Sequence, residues 1–147
     1  MAVTVRKVAR GDAARWRALF DAYVAFYEEE VAADIIEQTF ERVLAEADGM
    51  FSLVALNGDG AIVGIAVAVL HRSSWSPTWY CYLEDLFVDP AARGAGVGRA
   101  LIEAVYAEAD ARGATRTYWA TAGTNATARA LYDRIGVLSP FVQYRRP

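Results

Sequence analysis

The chain has 147 residues, is 55% hydrophobic and 22% charged, and carries a formal net charge of −3. That suits one domain, residues 1–147, with a core large enough to fold unaided, and excludes a disordered or collagen-like chain. A single cysteine, Cys81, and a single histidine, His71, exclude an internal disulfide and leave no cluster of metal ligands, so no metal is expected.

In chain order, Val3 to Val8 alternates and predicts a short strand. Asp12 is a candidate N-cap for a helix whose apolar face is Trp16, Leu19, Phe20, Tyr23 and Tyr27. A second helix is expected from about Asp34 to Ala47, with Ile36, Phe40, Val43 and Leu44 on one face and Gly49 ending it. Phe51 to Asn57 is a strand, Asn57-Gly-Asp-Gly60 a hairpin turn, and Ile62 to His71 a strand apolar enough to be buried on both faces. Arg72 to Pro77 reads as a loop and Trp79 to Val88 as a strand stopped by Asp89-Pro90. A glycine-rich loop from Arg93 to Gly98 opens a helix with Val97, Leu101, Val105 and Ala109 spaced by four, closed by Gly113. Thr115 to Thr121 is a strand, Asn125 caps a short helix ending at Gly136, and Phe141 to Arg145 is a last strand. Antiparallel strands followed by a βαβ-type half give a mixed α/β sheet with helices packed on it.

The acidic balance and interspersed arginines lack the basic patch of a nucleic-acid binder. The longest near-continuous apolar run, Ala61 to Leu70, is too short to span a membrane. No apolar leader follows Met1. A cytoplasmic protein with neither nucleic acid nor membrane as partner is expected.

The segment Arg93-Gly94-Ala95-Gly96-Val97-Gly98 is the most informative. After a strand and before a helix, its backbone N–H groups converge with the helix dipole behind them, and glycines let a phosphate approach. A P-loop is excluded, because Lys7 is the only lysine. The dinucleotide fingerprint fails, because its last glycine would fall on Arg99 or Leu101. A connector that binds nothing remains the plain alternative.

R-G-x-G-x-G between strand and helix resembles the acetyl-CoA signature of the GNAT N-acetyltransferase superfamily. Tyr82-Leu-Glu-Asp-Leu-Phe-Val-Asp-Pro90 looks like the strand ahead of that loop. Tyr118-Trp-Ala-Thr121 looks like the next strand, and Asn125-x-x-Ala128-x-x-x-Tyr132-x-x-x-Gly136 like the last helix. Tyr82 to Gly136 covers over a third of the chain in the family's order. Within the family, Y-L-E-D-L-F-V with Trp75 ahead of it is most similar to diamine and polyamine (spermidine/spermine-type) and histone/polyamine acetyltransferases. Phe141-Val-Gln-Tyr-Arg-Arg146 resembles the latter.

The resemblance implies the GNAT fold, acetyl-CoA as acetyl donor in a splayed-strand cleft, a small cationic amine as acceptor, and a homodimer. It assigns the pyrophosphate to the backbone from Arg93 through Gly94, Ala95, Gly96, Val97 and Gly98 to Arg99. The pantetheine goes to the strand edge Leu86-Phe87-Val88, with Asn125 and Ala128 beside it. An N–H of Phe87 or Val88 would polarise the thioester carbonyl. Tyr132 is the candidate acid for the departing thiolate. Glu84 is the candidate base, because an amine near pKa 10 arrives protonated and must lose a proton. Strand alternation places Glu84 opposite Asp85, and both, with Glu28 of the Glu28–Glu30 run and Trp75, are candidate contacts to the amine. Core packing of Tyr132, a solvated turn at Glu28 and an edge cover at Trp75 are the plain alternatives. Val137 stands where the family often has Phe or Tyr, so the segment after Gly136 is expected to be unusual. The alternative functions are a non-catalytic acetyl-CoA-binding or sensing module and acetylation of a protein or peptide amine.

Overall fold

The structure is a computed structural model and describes residues 2–147. Its elements are β1 (Thr4–Lys7), α1 (Ala13–Phe26), α2 (Ala33–Leu44), β2 (Met50–Leu56), β3 (Ile62–Ser73), β4 (Ser76–Val88), α3 (Val97–Ala111), β5 (Ala114–Tyr118) and α4 (Ala126–Ile135). The strands form one sheet in chain order, antiparallel except for the parallel β4–β5 pair. This is the mixed, mostly antiparallel α/β sheet with flanking helices expected from the sequence. No helix among the described residues is long and apolar enough to cross a membrane.

β3 is apolar throughout its first half because it is covered on both faces. Ile65 and Val67 pack under α1 and α2 with Trp16, Leu19, Ile36, Phe40 and Val43. Ala66 and Ala68 pack under α3 with Leu101, Ile102 and Val105. The buried Trp16 indole donates to Ser52 Oγ (3.0 Å), which donates in turn to the Ala66 carbonyl (2.7 Å), so two polar groups in the core satisfy each other. Gly64 brings α3 onto the sheet: a Cβ there would lie 2.9 Å from Val97 and 3.0 Å from Leu101.

Several boundaries differ from the sequence reading, each for a physical reason. Asp12 does not cap α1. Its carboxylate accepts from the Ala9 N–H (2.7 Å) and from Arg6 (2.7 and 3.0 Å), tying β1 to the turn before the helix. α2 stops at Leu44, and Glu46 and Asp48 take left-handed conformations in the turn that follows. The Glu46 carboxylate is held there by Arg112 and Lys7. The expected loop at 72–77 is a two-residue turn, because β3 and β4 pair out to Ser73 and Ser76. β5 ends at Tyr118, short of Thr121. The expected strand at Phe141–Arg145 does not form: residues 137–147 hold no regular structure and lie exposed.

α1 ends in a Schellman closure. The Glu29 N–H donates to the Val24 carbonyl (3.2 Å) and the Glu28 N–H to that of Ala25 (3.0 Å). Glu28 therefore occupies the left-handed position, φ 55°, that favours glycine. Replacing Glu28 with Gly is expected to stabilise the fold by about 0.5–1 kcal/mol, raising Tm by about 2–4 °C. Glu28→Gln, which keeps the strain, should leave Tm unchanged in the same calorimetric scan.

Candidate active site

β4 and β5 pair only from Trp79 to Tyr82 on β4 and from Ala114 to Tyr118 on β5. Beyond Tyr82 they diverge, and Leu83 to Val88 has no partner on that side. The ladder with β3 fixes which groups face the gap. The Asp89 N–H donates to the Val63 carbonyl (2.8 Å). In antiparallel pairing hydrogen-bonded pairs alternate with non-bonded ones, so Ile65–Phe87 is bonded and Gly64–Val88 and Ala66–Leu86 are not. The N–H and C=O of Leu86 and Val88 therefore turn into the gap. The Phe87 N–H is committed to β3, which corrects the expectation that it faces a thioester.

The gap continues into a cleft of about 500 Å³. Its walls bring together most of the residues expected to hold acetyl-CoA: Leu86, Phe87, Val88, Arg93, Gly94, Gly96, Val97, Gly98, Arg99, Asn125, Ala128 and Tyr132. Ala95 alone of that set does not line it. Gly94 (φ 85°) and Gly96 (φ 79°) are left-handed, and a Cβ on either would meet open space, as a loop that receives a ligand requires. Gly96 starts α3, whose first intrahelical bond runs from the Ala100 N–H to the Gly96 carbonyl (3.0 Å), so the N–H groups of Val97, Gly98 and Arg99 are unused by the helix. Asp89 steadies the strand end, accepting from the Ala91 N–H (3.0 Å) and from Arg15 (2.7 Å); both partners hold its carboxyl below the usual range.

On the opposite wall, Asn125 caps α4 through its Oδ1, which accepts from the Ala128 N–H (3.3 Å), while Nδ2 points at Thr121. Tyr132 lies one turn on. Trp119 packs edge-on against its ring (centroids 5.4 Å apart), and the Tyr106 hydroxyl donates to the Ile135 carbonyl (2.7 Å), fixing the end of α4. Burial, then nearby Tyr27, raises the Tyr132 pKa, so the hydroxyl keeps its proton at neutral pH.

A bulge in β4 changes the acid–base picture. Val67 pairs with Asp85 and Ala68 with Leu83, which leaves Glu84 as an extra residue. Such a bulge breaks alternation. Cys81 and Leu83 face α3 before it, and Leu86 and Val88 do so after it. Glu84 and Asp85 thus share the α1 face, contrary to the alternation argument. Glu84 is exposed. Asp85 is half-buried, and its carboxyl is pushed up to about 6, chiefly by burial and then by the Glu84 charge; the Tyr23 hydroxyl directed at it partly offsets both.

The sequence reading assigned Tyr23 and Tyr27 to the core face of α1, yet both line the cleft with Phe26. Two hydroxyls one turn apart on an otherwise apolar face were the available signal. Arg93 ties this end of α1 to the glycine loop, its guanidinium 5.8 Å from the Phe26 ring and 6.0 Å from that of Phe87. Glu28 lies exposed on the turn just after Tyr27, outside the cleft wall. Trp75, 92% exposed, is at the hairpin tip. Nine extended residues, roughly 30 Å, separate it from Glu84, so this chain's Trp75 does not reach the site.

Comparison with known proteins agrees with this geometry. The acetyltransferase (GNAT) family model matches residues 16–137. A D-amino-acid N-acetyltransferase of Saccharomyces cerevisiae is 30% identical over 145 residues, 98% of this chain and 90% of that protein. A mycothiol acetyltransferase of Clavibacter michiganensis is 37% identical over 109 residues, 74% of this chain but 32% of its own length. The structure of AAC(6')-Iy in complex with a CoA bisubstrate analogue superposes with a TM-score of 0.83 at 22% identity, covering 100% of this chain and 99% of that one. The chain belongs to the GNAT acetyltransferase family and is an acetyl-CoA-dependent N-acetyltransferase.

Proposed function

We propose that this enzyme acetylates the primary amine of a small molecule, with Asp85 as general base and Tyr132 as general acid. The observation that carries the reading is the bulge at Glu84. It sets a half-buried carboxylate at the point where β4 leaves β5, next to the two N–H groups that face the gap. Acetyl-CoA supplies the thioester. The N–H of Leu86 or of Val88, about 7 Å apart on the strand edge, draws electron density onto the carbonyl oxygen, and the other is left for the pantetheine. Asp85 accepts the amine's proton, directly or through water, and the freed lone pair attacks the acetyl carbon. As the carbon–sulfur bond breaks, the Tyr132 O–H protonates the sulfur. Glu84 adds negative charge that draws the ammonium in.

Two acceptor classes have specific support. The exposed run Glu28–Glu30, beside the cleft wall at Tyr27, suits a polyamine or diamine. The yeast relative's name supports a free amino acid. Release of CoA thiol against spermidine, short diamines, amino acids, basic peptides and aminoglycosides tests the function. Saturable turnover with a small amine supports it. Tight acetyl-CoA binding with no turnover across the panel replaces it with an acetyl-CoA-sensing module.

Two copies of the chain are proposed to associate through the segment after Gly136. Val137, Leu138, Phe141, Val142 and Tyr144 are 72–97% exposed there, and β5 is the sheet's edge. Sedimentation velocity on the chain, and on a form ending at Gly136, distinguishes a dimer from a monomer.

A further inference from the structure

α1 and α2 cover only part of their face of the sheet. Toward the β3–β4 hairpin the register leaves an aromatic floor that the helices do not reach. His71 pairs with Tyr80 and Val69 with Tyr82, while Tyr80 pairs with Arg116 and Tyr82 with Tyr118. A second irregularity, between Trp79 and Tyr80, brings Arg116 and Tyr118 onto this face with them. The rings interlock: Tyr82–Tyr118 centroids lie 5.0 Å apart, His71–Tyr118 5.7 Å and His71–Tyr80 5.8 Å. His71 Nδ1–H donates to the Arg72 carbonyl (2.8 Å), so Nε2 accepts from the Tyr118 hydroxyl (2.6 Å) and orients that ring. Tyr118 is still 38% exposed.

The floor begins where the two carboxylates end. Glu84 follows Tyr82 on the same face by one alternation, about 7 Å. Charge along the floor is sorted. Carboxylates stand at the cleft end, and Arg116 lies at the other, its guanidinium 4.7 Å from the Tyr80 ring. Arg145 adds positive charge beside Tyr82. Neither arginine joins an ion pair among the described residues. One ammonium at the carboxylate end is favoured, a second farther along meets like charge, and a flat apolar body meets stacking surfaces.

We propose that this floor is the acceptor's specificity subsite, and that the acceptor is an aromatic amine with a single positive charge, any further charge on it being negative. Its ring lies on Tyr82 and Tyr118 with its amine at Asp85. This rests on the transferase reading above and separates its two acceptor classes.

Steady-state acetyl transfer to phenylalanine, phenethylamine and spermidine tests it, with the full chain as wild type, Tyr118→Leu, Tyr118→Phe and Tyr82→Leu. The expected result is kcat/KM at least about tenfold higher for an aromatic acceptor than for spermidine. Both Leu variants should raise KM for the aromatic acceptors about tenfold and leave KM for acetyl-CoA unchanged, and Tyr118→Phe should retain the wild-type KM. Preference for spermidine overturns the proposal and leaves the transferase standing. Unchanged aromatic KM in folded Leu variants, with an altered sedimentation coefficient, overturns it in favour of an interface between copies. Absence of turnover with every amine overturns the reading on which it rests.

Discussion

Asp85→Asn is expected to lower kcat/KM by about 10²–10⁴-fold and to raise stability at the same time. The wild-type rate should fall below about pH 6, where the Asp85 carboxyl takes up its proton. The variant's residual rate should lack that acidic limb. The sign of the stability effect follows from linkage. Asp85 holds its proton to about pH 6 in the folded chain against an ordinary value of 3.8. Its favourable contribution is fully present below 3.8 and is lost as pH rises through 6, where burial of the charge opposes folding. Asparagine has no such charge, so at pH 8 the variant should be more stable by about 1–3 kcal/mol and near parity at pH 4. Calorimetry at both pH values, beside a pH profile of the rate, checks the pair of effects. Glu84→Gln in parallel separates the roles. A loss of the acidic limb there, with the limb kept in Asp85→Asn, would return the base to Glu84.

Tyr132→Phe should lower kcat by about 10²-fold or more and leave the Kd of acetyl-CoA nearly unchanged. The ring keeps its edge-on contact with Trp119, and only the hydroxyl is lost. The cleft walls formed by the glycine loop and β4 stay intact, so ground-state binding persists while proton delivery to the sulfur fails. Isothermal titration with acetyl-CoA and stopped-flow release of thiol measure the two quantities separately. Equal loss in both would mean that Tyr132 holds the ligand and does not act as the acid. An unchanged kcat would remove it from the mechanism.

Much of the molecule was legible in the residues. Helical spacing located the apolar faces of α1, α2 and α3, because a face that must be buried repeats with the turn of the helix. The unbroken apolar run of β3 predicted burial on both faces, and helices do cover both. The glycine loop was readable because left-handed backbone at Gly94 and Gly96 narrows the choice of residue. The cleft therefore gathers nearly the whole set of residues expected to hold acetyl-CoA.

What the sequence by itself determined were the local preferences: which segments turn or coil, which faces are apolar, and where the backbone of a loop turns left-handed. Tertiary structure decided everything that depends on register between strands. The bulge at Glu84 is set by how β4 pairs with β3, and it moved both carboxylates onto one face and made Asp85 the half-buried one. Whether the N–H of Phe87 or those of its neighbours face the gap depends on a hydrogen bond that joins residues 26 apart in the chain, Asp89 and Val63 in the neighbouring strand, and on the alternation it imposes. Trp75 looked near the site because sequence order hides that nine extended residues span roughly 30 Å. The segment Phe141–Arg145 has the aromatic and β-branched residues of a strand, but a strand needs a partner edge, and the described residues of one chain do not pair with it.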